Sequence, residues 1–199
     1  MQDSTPGRPP AAGGAAFARP ATAADASRIA AIYNEGIEDR LATFETRLRS
    51  AAEVGAWLDG IHPVVVVEAD GEVAAFAASS TYRPRECYAG VAEFSVYVAR
   101  GVRGRGLGQV AMEGLIGAAE AAGFWKLVSR VFVENAPSRR LLTGLGFREI
   151  GVYRRHARLD GRWRDVVIVE RLLGPATDDQ PTDDQPTDDE AAASPSVAP

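Results

Sequence analysis

The 199-residue sequence has one cysteine, Cys87, so no disulfide can form within the chain, and this usage favours a reducing compartment. No apolar run approaches the ~20 residues that a membrane-spanning helix needs. The opening stretch, MQDSTPGRPPAAGGAAF, lacks the apolar centre of a secretory signal and reads as a disordered leader over 1–16. A cytoplasmic protein without a membrane partner is the expectation. Histidine is nearly absent as well. His62 precedes Pro63 at a strand entry and His156 lies in a basic strand, neither at ligand spacing from another His or Cys, so no metal is expected.

Charge is spread unevenly. Residues 174–199 hold six Asp and one Glu with no Lys or Arg, whereas the whole chain carries −5 and 1–16 are balanced. That leaves about +2 for 17–173, which suits a small anionic ligand and falls short of a nucleic-acid footprint. The acidic segment repeats TDDQP and then TDDE, with nothing apolar to bury, and reads as a disordered tail over 174–199. With 46% hydrophobic and 25% charged residues, the 199-residue chain has the composition of one globular domain, which is placed at 17–173.

Within that domain the patterning is mixed. Thr22 and Asp25 form a capping box before a helix to about Asp39, with Ile29, Ile32, Tyr33 and Ile37 on one face. Ser50 and Glu53 open a second, short helix. PVVVVEADGEVAAFAAS reads as a hairpin turned at Asp70-Gly71. The strand AEFSVYVA, a glycine-rich turn, a helix to about Ala122 and the strand WKLVSRVF follow. A helix over 137–145 ends at Gly146, and two strands meet at Asp160-Gly161. The order α-α-β-β-β-α-β-α-β-β, with room for a strand before the first helix, predicts an α/β fold with a mixed sheet flanked by helices.

The turn between AEFSVYVA and the long helix reads RGVRGRGLGQ. Glycines let successive N–H groups face one concavity, the helix adds its partial positive charge, and Arg103 and Arg105 can pair with phosphate oxygens. It is neither a Walker A loop nor the dinucleotide fingerprint, because no Gly-Lys-Ser/Thr follows and the glycine spacing differs.

This loop resembles the pyrophosphate-binding loop of the GNAT superfamily of N-acetyltransferases, and NAPSRRLLTGLGF (135–147) resembles that superfamily's second signature. Three further segments are similar to phosphinothricin-type N-acetyltransferases, most of all to the branch associated with arsinothricin resistance: IYNEGIEDRLATFET, YRPRECYAGVAEFSVYV and LDGRWRDVVIVER. The likeness spans 18–173. It implies the GNAT fold, acetyl-CoA as co-substrate, a homodimer, and acetylation of the α-amino group of a glutamate-like amino acid with a tetrahedral anionic end. Alternatives are methionine sulfoximine or sulfone, a related small amine, a protein amino terminus, or a non-catalytic acetyl-CoA sensor.

The resemblance also implies roles. Arg103, Gly104, Arg105, Gly106, Leu107 and Gly108 would hold the diphosphate, and Asn135 and Ser138 would contact the coenzyme. Val96, Tyr97 and Val98 would line its pantetheine groove, with the Val98 N–H bonding the thioester carbonyl and the developing oxyanion. Glu93 would be the general base. An ordinary Glu, pKa about 4.3, is weak for that task, so burial near Phe94 or Tyr97 or a relaying water is called for. Leu142 stands where relatives often carry Tyr or His, so no general acid is named. Arg85 and Tyr88 fall on substrate-binding positions, Arg83 on a basic one and Phe44 on an aromatic one. A solvated loop and a core contact are the plainer readings of these. Cys87 reads as a filler beside the pocket, and Trp163 and Asp165 as packing in the last hairpin.

Overall fold

Seven strands build one sheet in the computed structural model, which describes residues 15–177. They are β1 (Phe17–Pro20), β2 (Val64–Ala69), β3 (Glu72–Thr81), β4 (Val91–Val98), β5 (Lys126–Phe132), β6 (Arg148–Leu159) and β7 (Arg162–Leu172). Their spatial order is β1-β2-β3-β4-β5-β7-β6, and every neighbouring pair is antiparallel except β4 with β5. Helices α1 (Ala26–Asp39) and α2 (Ala51–Gly55) cover one face, and α3 (Leu107–Ala121) covers the other, with α4 (Ala136–Gly144) beside it. The mixed α/β sheet is as expected, and β1 is the strand for which room was left. Residues 1–14 of the leader and 178–199 of the tail lie outside the described residues, while Ala16, placed in the leader by sequence, packs against the core under α3. Gly174–Thr177, placed in the tail by sequence, form a 3-10 turn whose first amide donates to Glu120 at 2.8 Å.

The faces follow from side-chain alternation. Val65, Val67, Ala75, Ala77, Ala92 and Phe94 pack against Met112 and Leu115 of α3. Val64, Val66, Phe76, Ala78 and Tyr97 pack against Ile29 and Ile32 of α1 and Val54 of α2. Because both faces of β2 are covered, its valines are all buried and the strand reads as an unbroken apolar run. Gly36 lets α1 lie against Tyr97, since a Cβ there would stand 2.6 Å from the Tyr97 ring. The edge strand β6 is exposed along nearly all its length. No described helix is long and apolar enough to cross a membrane.

The 3-10 turn that leads into α1, Ala23–Asp25, is fixed by a charged capping box. Asp25 accepts from Thr22 N at 2.8 Å and receives both terminal nitrogens of Arg19 at 2.8 and 2.9 Å. Arg19 also reaches Glu68 on β2 at 2.7 Å, so one guanidinium joins β1, β2 and α1. The Arg19 hydrogen bonds hold the Asp25 carboxyl far below the usual carboxylate range, against the opposing effect of burial. A depressed folded-state pKa stabilises above the unfolded value of about 4 and is lost as pH falls through the folded one. Asp25→Ala is therefore expected to cost about 2–3 kcal/mol at pH 7. The gap to wild type should shrink by about 1 kcal/mol at pH 3. Urea melts at both pH values check this, and an unchanged gap would contradict it.

Candidate active site

β4 and β5 pair only through Val91, Ala92 and Glu93, opposite Lys126, Leu127 and Val128, although β4 continues to Val98 and β5 to Phe132. One contact follows, from Ser129 Oγ to the Phe94 carbonyl at 2.8 Å. Beyond it the strands part around a cleft of about 670 Å³. On its other side β4 stays paired with β3 through Ala75–Val98, and Ala99 N donates to Ala74 O at 2.8 Å. Antiparallel bonds alternate, so that bond turns the amides of Val96 and Val98 away from β3. They point to the side from which β5 has withdrawn and have no strand acceptor there. A strand in mid-sheet thus presents free N–H groups to a cleft, where a ligand or water must satisfy them.

The loop after β4 forms the next wall. Gly104 and Gly106 both have φ of +80°, and nothing lies within 4 Å of where a Cβ would stand, so backbone conformation rather than space requires glycine. Gln109 N and Val110 N both donate to Gly106 O, at 3.0 and 3.3 Å. The preceding amides of Leu107 and Gly108 have no acceptor within the helix. Gly108 packs closely on the cleft wall, because a Cβ there would lie 3.2 Å from Leu141 and 3.5 Å from Val98. Arg103 lines the cleft with Gly104, Gly106, Leu107 and Gly108. Its Nε donates to the Val98 carbonyl at 3.1 Å and its Nη1 to Asp39 at 2.6 Å. Arg105 turns away to Asp70 at 3.1 Å and does not line the cleft. Asp39 also receives Arg100 at 2.7 Å, and Arg100 and then Arg103 hold its carboxyl below the usual range.

Asn135 caps α4 by accepting Ser138 N at 3.2 Å and donates its own amide to the Leu41 carbonyl at 3.1 Å. It thereby ties α4 to the segment after α1, and Asn135 and Ser138 both line the cleft. Leu142 is buried in the wall, an aliphatic surface with no proton to give. Phe44 meets Phe132 edge to face at 4.8 Å, and Tyr33 meets Tyr97 the same way at 4.9 Å. Burial pushes both phenols above their ordinary pKa.

Glu93 lines the cleft and its side chain is about one-third exposed. Alternation puts Phe94 on the opposite face of the sheet, in the α3 core, and the Glu93 carboxylate pairs instead with Arg130 of β5. Arg83, Arg85 and Tyr88 sit in the β3–β4 connection and do not line the cleft. There Arg83 stacks over Tyr82 and Tyr82 meets Tyr88 edge-on. Cys87 is exposed in the same connection, not a filler beside a pocket. His62 bonds Asp59 at 2.7 Å and Thr81 at 3.2 Å, and His156 lies beside Phe44 and Tyr153. Trp163 is half exposed beneath Arg158, and Asp165 accepts the Arg155 amide at 2.7 Å. Sequence reasoning did not single out Tyr33, Asp39, Arg130 or Phe132 as lining the cleft.

The model of the acetyltransferase (GNAT) family matches residues 29–147. The chain belongs to the GNAT family of acetyltransferases. It is 33% identical over 162 residues to the phosphinothricin N-acetyltransferase of Streptomyces coelicolor, covering 78% of this chain and 95% of that protein. It is 34% identical over 162 residues to the L-methionine sulfoximine/L-methionine sulfone acetyltransferase of Pseudomonas aeruginosa, covering 79% and 94%. Among solved structures it resembles a GNAT superfamily phosphinothricin acetyltransferase from Sinorhizobium meliloti in complex with acetyl-CoA. The TM-score is 0.77 and the identity 32%, covering 85% of this chain and 94% of that one. The fold is the GNAT fold, and the enzyme is an N-acetyltransferase. The cleft fits the coenzyme: free strand amides match its amide-bearing arm, and Arg103 with the glycine turn and the open α3 terminus matches its diphosphate.

Arg103→Ala is expected to weaken acetyl-CoA binding about 10- to 100-fold, the worth of a lost charge-assisted bond. Arg105→Ala should weaken it less, because Arg105 faces Asp70. Calorimetric titration of both variants checks the order, and an unchanged dissociation constant for Arg103→Ala would contradict it.

Proposed function

We propose that the enzyme acetylates the α-amino group of a glutamate-like amino acid with a tetrahedral anionic end, of the phosphinothricin or arsinothricin type. The observation that carries this is a carboxylate, Glu93, in the same cleft as the free amides of Val96 and Val98. Phosphinothricin N-acetyltransferases among the relatives support the substrate class. Acetyl-CoA, when bound, supplies an acetyl group activated as a thioester. The protein's part is to hold it, to free the attacking amine and to stabilise charge on the carbonyl oxygen.

Glu93 takes the proton of the substrate's ammonium group, directly or through a water. A strand rises about 3.3 Å per residue, so Val96 lies about 10 Å along β4 from Glu93 and Val98 about 16 Å. The Val96 N–H is thus the nearer of the two donors to a carbonyl attacked beside Glu93. The Val98 N–H then serves the coenzyme arm, whereas the resemblance assigns it the thioester carbonyl. Arg103, Gly104, Gly106, Leu107 and Gly108 hold the diphosphate, with Asn135, Ser138 and Tyr97 along the groove. Phe44 is an aromatic wall of the substrate end. Arg83, Arg85 and Tyr88 are outside the cleft lining, and the cation that lines the cleft beside Glu93 is Arg130.

Methionine sulfoximine or sulfone is a second reading, supported by relatives of that name at 34% identity. A homodimer through the last hairpin is supported by Ile150, Val152, Tyr153 and Trp163, each about half exposed. A cytoplasmic compartment rests on cysteine usage alone.

A thiol-release assay over phosphinothricin, arsinothricin, methionine sulfone, glutamate and a peptide amine tests the reading. The first three should be turned over in preference to glutamate and the peptide. Acetylation of the peptide with none of the amino acids would overturn the assignment. Glu93→Gln should lower turnover about 10²- to 10⁴-fold while acetyl-CoA affinity stays unchanged. Retained turnover would remove Glu93 as the base.

A further inference from the structure

Glu93 and Arg130 come together because of the register. Val128 stands opposite Glu93, and alternation along β5 puts Arg130 and Phe132 on the face that Val128 shares. The carboxylate and guanidinium meet at the point where the two strands begin to part, and both side chains line the cleft. Neither is saturated. Arg130 spends one terminal nitrogen on one Glu93 oxygen, and its other nitrogens and the second Glu93 oxygen have no hydrogen-bond partner among the described residues. The pair is about one-third exposed on each side, so a ligand can reach it.

Among the described residues the other cation lining the cleft is Arg103, which is already engaged by Asp39 and the Val98 carbonyl at the glycine loop. At the Glu93 end, an anionic group on a substrate therefore has Arg130 to meet. An α-amino acid carries its ammonium and its carboxylate on one carbon, so its two charges sit side by side. The Glu93–Arg130 pair presents the complementary charges side by side, with no net charge. A guanidinium fork with free nitrogens is suited to a carboxylate in a way that an ammonium is not.

We propose that the Glu93–Arg130 pair is the receptor for the α-amino-acid head group, with Arg130 binding the α-carboxylate while Glu93 faces the α-ammonium. This rests on the reading of Glu93 as the base. One proton passes from the ammonium nitrogen to a Glu93 oxygen, leaving a neutral amine with its lone pair free and a neutral carboxyl group. Arg130 and the substrate carboxylate keep their charges, so the net charge of the site is unchanged. The next residue on the Arg130 face is Phe132, packed edge to face on Phe44, so the substrate's side chain has an aromatic wall beside the head-group receptor. Arg130 sets which amines are accepted: those with a carboxylate on the adjacent carbon.

The test compares L-methionine sulfone with its α-carboxamide, and phosphinothricin with its α-carboxamide, in wild type, Arg130→Gln and Arg130→Lys. Acetyl-CoA affinity serves as the control for folding. Wild type should prefer each free acid by about 100-fold in kcat/KM. Arg130→Gln should lose about 100-fold on the acids, chiefly through KM, and change the amides little, so that discrimination collapses. Arg130→Lys should recover part of it. An equal loss on acids and amides would mean that Arg130 only positions Glu93, and would overturn the proposal. So would wild-type preference for the amides, or undiminished acid turnover by Arg130→Gln. Turnover of other α-amino acids but neither named substrate, still dependent on Arg130, would overturn the substrate assignment and leave the receptor standing. Turnover of a peptide amine alone would overturn both.

Discussion

Strand β4 loses a neighbour after Glu93, and the chemistry of the protein follows from that loss. Up to that residue β4 is an ordinary inner strand, bonded to β3 on one edge and β5 on the other. Past it, β3 remains and β5 withdraws. A buried N–H without an acceptor costs on the order of 1–3 kcal/mol. The amides of Val96 and Val98 are tolerable only because the gap is an open cleft, and the same amides are what an extended, amide-bearing ligand needs. Ligand and missing strand are interchangeable partners, as in recognition by strand addition.

The two ends of the cleft are electrostatically distinct. At the glycine loop, Arg103 is shared between Asp39 and a strand carbonyl. At the point of divergence, Arg130 is shared between Glu93 and solvent. Partly exposed ion pairs of this kind contribute at most about 1 kcal/mol to stability, so folding alone does not explain them. Each instead keeps a guanidinium in the cleft with hydrogen-bonding capacity to spare. Between them lie buried Leu142 and the Tyr33–Tyr97 pair, phenols whose protons are held more tightly than usual. Leu142 itself, an aliphatic side chain, carries no proton for a leaving thiolate.

The parts legible in the sequence were those whose meaning is local. Gly104 and Gly106 mark a turn because positive φ is a property of the residue itself, and the alternation in AEFSVYVA marks a strand. The capping residues Thr22, Asp25, Ser50 and Glu53 give helix starts because their partners are three residues away. The parts that were not legible depend on which strands meet. Arg130 looked like any polar residue of WKLVSRVF, since only the β4–β5 register brings it to Glu93. Asp39 looked like the end of a helix until the fold set it beside Arg103. Arg83, Arg85 and Tyr88 stand near Glu93 in sequence, but they belong to the β3–β4 connection and are not among the residues that line the cleft. Burial of Glu93 against Phe94 could not arise, as neighbours in a strand face opposite ways.

Amide hydrogen exchange along β4, followed by NMR with and without acetyl-CoA, tests the central claim most directly. Ala92 and Phe94 should be protected in both states. Val96 and Val98 should exchange rapidly in the free protein, although they lie in the middle of a sheet, and become protected when acetyl-CoA binds. Protection of Val96 and Val98 already equal to that of Ala92 in the free protein, or no change in either on binding, would contradict the account.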